Sequence, residues 1–301
     1  GDETQIKSAL DKHPNLCATS EILHSDIVVT PDDKVSAALR KAKTSSMGMA
    51  INAVKSGDAS AAVSGGNTGA LMATAKLALR TMPGIDRPAL SALLPTLEDT
   101  DVVMLDLGAN TECEAKNLLQ FAIMGAAYSR IIFGFDRPRV RLLNIGTEEM
   151  KGTESLRDAA QHLRDAIGLH MDFQGFVEAD KINRGECDVV VCDGFTGNIA
   201  LKSIEGTARF VTDLLRRAFT SSIRSKFGFL VSRPATELLR HHLDPNNHNG
   251  AVFMGLNGVV VKSHGSANIK GVAHAVEVAA RLVEEDITAR ITQDLARVQA
   301  G

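Results

Sequence analysis

The stretch VVVCDGFTGNIALK, residues 189–202, decides the fold. Its three valines form a short β-branched run, which is typical of a buried strand. Two glycines lie in the turn that follows, and the apolar residues after Thr196 recur with the period of a helix. A strand, a glycine-bearing turn and a helix in this order form the βα unit from which parallel sheets are built.

The same order recurs along the chain, where short apolar runs alternate with longer segments of helical period. Predicted strands cover residues 22–29, 59–64, 89–94, 102–107, 140–145, 188–192 and 258–262. Predicted helices cover residues 34–55, 68–81, 112–133, 153–167, 196–219 and 269–299. We therefore expect an α/β protein with a doubly wound, mostly parallel, Rossmann-like sheet.

Composition agrees with this fold class, because 44% of the residues are apolar and only 4% are aromatic. Aliphatic residues suit helices packed on a buried sheet. No repeat or low-complexity linker divides the chain, so we interpret residues 1–301 as a single catalytic domain.

The net charge of -3 gives no sign of a nucleic-acid partner. We recognise no signal peptide and no apolar run of ~18 residues, and therefore expect a cytoplasmic protein.

One segment, residues 209–242, differs from the rest and is called the basic excursion below. It carries seven basic residues against two acidic ones, together with an apolar set that a solvated helix face does not need. The candidate contact residues are Arg216, Arg217, Arg224, Lys226, Phe227, Phe229 and Arg233. An acidic protein partner, an anionic membrane and a dimer interface all remain possible occupants.

Five predicted strands run into short loops that contain glycine. The loops read SGGNTG at 64–69, DLGAN at 106–110, NIGTE at 144–148, DGFTGN at 193–198 and KSHGS at 262–266. In an open α/β sheet, ligands bind at the carboxyl ends of the strands. We therefore expect all five loops to meet at one ligand site.

This site should suit an anion, since glycine permits close backbone approach and the helix starts point N–H groups at the ligand. Candidate anion-binding residues are Asn67, Thr68, Gly69, Asn110, Gly197 and Asn198, and candidate catalytic residues are Asp193, Lys202 and His264. A surface role for Lys202 and a capping role for His264 stay open. The dinucleotide fingerprint, the P-loop and the serine nucleophile elbow are absent, and we assign no metal and no cofactor.

Taken together, the loops resemble the PlsX family, the acyl carrier protein-dependent phosphate acyltransferases of bacterial phospholipid synthesis. The motifs that carry the resemblance are VSGGNTGALMA from Val63, DLGAN from Asp106, NIGTEEMKG from Asn144, VVVCDGFTGNIALK from Val189 and GLNGVVVKSHGS from Gly255. The family also has an opening strand and a D-A-M-G-G-D loop, which do not precede Gly1, and we expect that this segment is omitted here.

The resemblance implies a fold related to phosphotransacetylases and isocitrate-type dehydrogenases. It implies transfer of an acyl group from acyl carrier protein to inorganic phosphate, a homodimer, peripheral contact with anionic membranes, and a downstream membrane glycerol-3-phosphate acyltransferase. In this scheme Asn67, Thr68, Gly69, Asn110 and Asn198 hold phosphate and the oxyanion. Lys202 neutralises charge, while Asp193 and His264 orient groups or move a proton.

Three other functions stay open at this point. A short-chain phosphate acetyltransferase that uses coenzyme A shares the anion-site logic, but it has no need of the basic excursion. A non-catalytic scaffold that binds carrier protein at membranes is the second alternative. An NAD-dependent decarboxylating dehydrogenase ranks last, because the dinucleotide fingerprint is absent.

Overall fold

The computed structural model describes residues 1–30 and 32–300. Its strands are β1 (Ala61–Ser64), β2 (Ala89–Leu94), β3 (Val102–Leu105), β4 (Arg139–Leu143), β5 (Asp172–Val177), β6 (Val189–Val191), β7 (Ala251–Met254) and β8 (Val259–Lys262). Its helices are α1 (Glu3–Leu10), α2 (Pro14–Ala18), α3 (Val35–Arg40), α4 (Ser46–Ser56), α5 (Thr68–Leu79), α6 (Ala115–Phe133), α7 (Glu154–Asp165), α8 (Gly194–Thr220), α9 (Ile223–Val231), α10 (Arg233–His242), α11 (Ile269–Glu284) and α12 (Ile287–Ala300).

The strands form one eight-stranded mixed sheet in the order β1-β8-β7-β2-β3-β6-β4-β5. Parallel pairing joins β1 to β8 and links β3, β6, β4 and β5 in succession. The central steps from β3 to β2, β7 and β8 are antiparallel. The sheet confirms the predicted mostly parallel α/β architecture and adds an antiparallel centre.

Helices cover both faces of this sheet, as a doubly wound fold requires. On one face α6, α7, α11 and α12 bury a core that includes Phe121, Tyr128 and Leu282. On the other face α3, α4, α5 and the start of α8 bury a second core around Ile51 and Leu71. Every residue of β3 is buried, as expected for a central strand that helices cover on both sides.

The sequence predictions differ from the structure in several elements. Residues 22–29 contain no strand, and two strands, β5 and β7, were not predicted. The predicted helix 34–55 is divided into α3 and α4. The predicted helix 269–299 is divided into α11 and α12 at Asp286, whose φ of 44° cannot continue a right-handed helix.

The basic excursion consists of the second half of α8, followed by α9 and α10. Between Asn198 and His248, none of the side chains that the structure describes is buried. The helices pack on one another through contacts such as that of Phe219 with Phe229, whose ring centroids lie 5.3 Å apart. The excursion therefore leaves its apolar side chains open to solvent or to a partner.

Candidate functional site

The loops after β3, β6 and β4 lie side by side, because these three strands are parallel neighbours. We call the place where these strands end the Asn198 edge. Leu142 is paired with Val191, so the loop that begins at Asn144 starts beside the loop that begins at Asp193. The sheet thus brings together the DLGAN, DGFTGN and NIGTE loops.

Asp106 organises the first of these loops. Its carboxylate is fully buried and accepts hydrogen bonds from the backbone N–H groups of Leu90, Gly108, Ala109 and Asn110. Burial raises the pKa of the Asp106 carboxyl, and these hydrogen bonds oppose the rise. The DLGAN loop therefore surrounds the protein's own carboxylate with N–H groups that we had expected to face a ligand.

Asn110 belongs to the same arrangement. Its side-chain amide donates to the Asp106 carboxylate and to the carbonyl of Pro88, each over 2.8 Å. Its own carbonyl accepts the N–H of Gly194 over 2.7 Å. In this conformation Asn110 joins β3 to the start of α8, and its predicted role in holding phosphate stays a prediction.

The start of α8 rests directly on the β3 loop. A Cβ atom at Gly197 would lie 1.9 Å from the Asp106 carbonyl oxygen, and one at Gly194 would lie 2.5 Å from the Asn110 carbonyl oxygen. Neither distance leaves space for a side chain. The glycines of DGFTGN are therefore needed for this packing.

Asp193 is the N-cap of α8. Its carboxylate accepts the backbone N–H of Thr196 over 2.8 Å and the Thr196 hydroxyl over 2.6 Å. Among the residues described, the backbone N–H of Phe195 has no acceptor. The Asn198 side chain is exposed, and the Cβ position of Gly108 lies 3.6 Å from its Cβ atom. This helix start thus offers one backbone donor and one side-chain amide to a ligand.

Two lysines supply positive charge at this edge. Lys202 lies one helical turn after Asn198, and its ammonium is 2.8 Å from the Glu205 carboxylate. Lys151, in the neighbouring NIGTEEMKG segment, is exposed and lies 3.1 Å from Glu148. We did not single out Lys151 from the sequence, although it is part of a motif that we quoted.

The loops after β1 and β8 form a separate group, which we call the His264 edge. Asn67 caps α5 by accepting the N–H of Ala70 over 3.0 Å, and Thr68 and Gly69 form the first turn of that helix. The Gly65 and His264 loops touch, since the Cβ position of Gly65 is 4.0 Å from the His264 carbonyl oxygen.

Hydrogen bonds to neighbouring residues hold His264 in this second group. Its Nδ1 lies 2.8 Å from the Ser266 hydroxyl, and its backbone N–H donates to the buried Asn249 over 2.8 Å. Lys262 precedes it and donates to the Ser263 carbonyl, and burial lowers the pKa of its ammonium. We did not single out Lys262 from the sequence, although it lies inside the GLNGVVVKSHGS motif.

The expectation that all five loops meet at one place is wrong for a single chain. Because β8 is separated from β3 by three antiparallel steps, β8 and β1 run opposite to β3, β6 and β4. Neighbouring strands are about 4.8 Å apart, so β8 and β3 are on the order of 14 Å apart. Asn67 and His264 are therefore grouped apart from Asn110 and Asn198.

Two thiols, Cys113 and Cys192, lie next to the Asn198 edge. Cys192 is fully buried, and burial raises its pKa well above its usual range. Cys113 is half-buried. Burial raises its pKa to about 12, and the nearby carboxylates of Asp106 and Asp193 add to the rise. A thiol with this pKa is almost fully protonated at neutral pH and is a poor nucleophile. A protonated thiol at this edge therefore does not favour formation of an acyl-cysteine.

The basic excursion exposes its predicted contact residues. Phe227 and Phe229 are 67% and 43% exposed, so the excursion presents large apolar side chains to solvent. Arg233 pairs with Glu237 over 2.8 Å, and among the residues that the structure describes no other Lys or Arg between Arg209 and Arg240 forms an ion pair. Across the part of the chain that the structure describes, no helix is both long enough and apolar enough to span a bilayer.

The chain is similar in sequence to a known protein family and to named members of it. The family model for the fatty acid synthesis proteins matches residues 1–290. A phosphate acyltransferase of Erythrobacter litoralis is 75% identical over 298 residues, which cover 99% of this chain and 84% of that protein. A phosphate acyltransferase of Parvibaculum lavamentivorans is 53% identical over 299 residues, which cover 99% of this chain and 82% of that protein.

Solved structures with the same fold are more distant in sequence. The EutD phosphotransacetylase from Staphylococcus aureus has a TM-score of 0.53 and 19% identity, over 94% of this chain and 84% of that chain. A phosphotransacetylase from Streptococcus pyogenes has a TM-score of 0.50 and 19% identity, over 78% of this chain and 66% of that chain. These likenesses show the fold alone. The family match and the two relatives show that the chain belongs to the fatty acid synthesis protein family, which is the PlsX family that its loop motifs resemble.

Proposed function

We propose that this protein is a phosphate acyltransferase that moves a fatty acyl group from acyl carrier protein to inorganic phosphate. A phosphate oxygen attacks the thioester carbonyl carbon, and collapse of the tetrahedral intermediate breaks the C–S bond. The products are an acyl phosphate and the carrier thiolate, which takes up a proton. The names of the relatives support acyl transfer to phosphate, and the motifs support the carrier-bound donor.

The observation that carries this proposal is the exposed Asn198 amide, which close packing of Gly197 on the β3 loop fixes in position. Together with the free N–H of Phe195, it provides two donors for an oxyanion. Such donors stabilise charge most effectively when they are already oriented before the reaction. Lys202 and Lys151 would neutralise the phosphate charge, while Asp193 orients the helix start.

The roles predicted for Asn67, Thr68, Gly69 and His264 belong to the His264 edge. A single phosphate ion is too small to contact both edges of one chain. An extended substrate could reach both groups, and a second copy of the chain could supply one of them. We keep these four roles as a proposal, together with the homodimer.

The basic excursion is proposed as the surface for acyl carrier protein, which is strongly acidic. Its arginines, which apart from Arg233 form no ion pair with a described residue, would steer such a partner electrostatically. The exposed phenylalanines favour shallow insertion into an anionic membrane beside the same cations. Peripheral membrane association of a cytoplasmic enzyme would deliver acyl phosphate to a membrane glycerol-3-phosphate acyltransferase in glycerophospholipid synthesis.

A donor comparison tests the proposal. Purified protein is given a long-chain acyl carrier thioester, the matching long-chain acyl coenzyme A or acetyl coenzyme A, with and without phosphate, and acyl phosphate is trapped with hydroxylamine. We expect product only when phosphate is present, and faster turnover with the carrier thioester. A preference for acetyl coenzyme A would favour the short-chain acetyltransferase, while binding of carrier protein without thiol release would favour the scaffold.

A further inference from the structure

We propose that four exposed apolar side chains at the Asn198 edge bind the acyl chain of the substrate and set the preference for its length. This inference rests on the proposed function. The residues, called the acyl-chain strip below, are Ile145, Met150, Phe195 and Ile199, which are 78%, 85%, 62% and 50% exposed. Large apolar side chains this exposed usually mark a binding surface when they occur together.

Strand register places the two halves of the strip side by side. Continuing the pairing of Leu142 with Val191 brings Ile145, just after β4, next to the first turn of α8. Phe195 and Ile199 are four residues apart in that helix and therefore share a face. The strip thus runs from the NIGTE loop onto α8.

The position of the strip relative to Asn198 identifies its occupant. Phe195 and Ile199 flank Asn198 in one helical turn, so a carbonyl bound to the Asn198 amide has its alkyl chain beginning beside them. Lys151 and Lys202 border the same surface and are partly neutralised by Glu148 and Glu205. Cations next to an apolar strip complement an amphiphile with an anionic head, which is the chemistry of an acyl phosphate.

The size of the strip argues against a protein partner there. Four side chains expose roughly a few hundred Å², whereas a stable protein interface needs about 800 Å² from each partner. A hydrocarbon chain needs no more than a narrow apolar track, because each methylene that leaves water adds its own contribution to binding. The strip is therefore matched to a chain and is too small for a second copy.

The test compares palmitoyl and butyryl carrier thioesters in the trapping assay. The variant Ile145→Ser/Met150→Ser removes half of the strip and leaves Asn198 and both lysines in place. The control variant is Leu97→Ser/Ile167→Ser, which changes two side chains that are 75% and 72% exposed. Leu97 follows β2 and Ile167 precedes β5, so both lie at the end of the sheet that is opposite to the Asn198 edge. We expect the palmitoyl to butyryl ratio of kcat/KM to fall at least about ten-fold in the strip variant and to stay unchanged in the control.

An unchanged ratio, or an equal loss with both thioesters, would overturn the inference while leaving the proposed function intact. A fall in molecular mass of the strip variant on size-exclusion chromatography with light scattering would overturn it too, because the strip would then be an interface. A wild-type protein that forms no acyl phosphate from either thioester would refute the proposed function and, with it, this inference. Thermal unfolding of each variant is measured to check that it keeps the wild-type fold.

Discussion

At the scale of single residues, the charges that matter are those next to Asn198. Lys202 follows Asn198 on the same helix face, and its side chain is 58% exposed, so it can leave Glu205 to meet a ligand. The DLGAN amides are different, because Asp106 already occupies them. The motifs could be found from the sequence, but this internal use of N–H groups depends on contacts between loops that no motif shows.

Replacing Lys202 with alanine should weaken phosphate binding. We expect the KM for phosphate to rise about ten-fold or more with little change in thermal stability, since an exposed ion pair contributes little to folding. Steady-state kinetics at varied phosphate concentration measure this. Lys76→Ala, at an exposed position on α5, is the matched control and should leave the KM unchanged. If Lys202→Ala and Lys76→Ala have the same KM for phosphate, Lys202 does not bind phosphate.

The thiol of Cys113 should not react in the native protein. Its pKa of about 12 leaves on the order of one molecule in 10⁴ as thiolate at pH 8, and the fraction rises only as the pH approaches that value. Iodoacetamide at pH 8 should therefore alkylate the exposed Cys17 and spare Cys113, as read by mass spectrometry. Cys113→Ser should keep its turnover. Rapid alkylation of Cys113, or loss of activity in Cys113→Ser, would point to an acyl-enzyme.

At the scale of helices and strands, local patterns predicted six of the eight strands that the structure describes and missed β5 and β7. The strand β2 was predicted with its observed bounds, because ALSALL is a buried apolar run. The strand β5 was missed because DFQGFV is half polar and contains Gly175, which has a φ of 78°. Strand directions were beyond prediction, since pairing between distant segments is not encoded in a local pattern. That is why the five loops were expected at one edge.

Two glycines of α8 make a matched pair for testing how the helix is attached. Gly197→Ala places a Cβ atom 1.9 Å from the Asp106 carbonyl, so we expect a loss of more than about 2 kcal/mol in the free energy of unfolding. Gly206 has open space around it, so Gly206→Ala should be neutral or stabilise α8 by up to about 1 kcal/mol. Urea unfolding followed by circular dichroism compares the two. Equal stability of the variants would contradict the close packing.

At the scale of the whole molecule, the sheet carries loop groups at two edges, and the basic excursion extends from one of them. The excursion begins in α8, the helix that carries Asn198 near its start, so one helix joins the excursion to this edge. The sequence predicted the excursion from its charge and its apolar side chains. It could not place the excursion relative to the loops, because that relation depends on the sheet.

Membrane contact through the excursion is tested by flotation with vesicles. Phe227→Asp/Phe229→Asp should lose most of its binding to phosphatidylglycerol vesicles, because two apolar anchors become anions next to an anionic surface. Leu16→Asp, at an exposed position outside the excursion, is the control and should float like the wild type. Because Phe229→Asp removes the contact between Phe219 and Phe229, circular dichroism is used to check that the double variant keeps its helices. Undiminished flotation of the double variant would exclude insertion at this site.

The most direct test of the reaction site is the rate of phosphate-dependent acyl phosphate formation in Asn198→Ala. Removing one preorganised oxyanion donor should lower kcat by about 10²-fold or more while the melting temperature stays near that of the wild type. Asn15→Ala, at an exposed asparagine on α2, should retain full activity. If Asn198→Ala forms acyl phosphate as fast as the wild type, the reaction does not take place at the carboxyl ends of β3, β6 and β4.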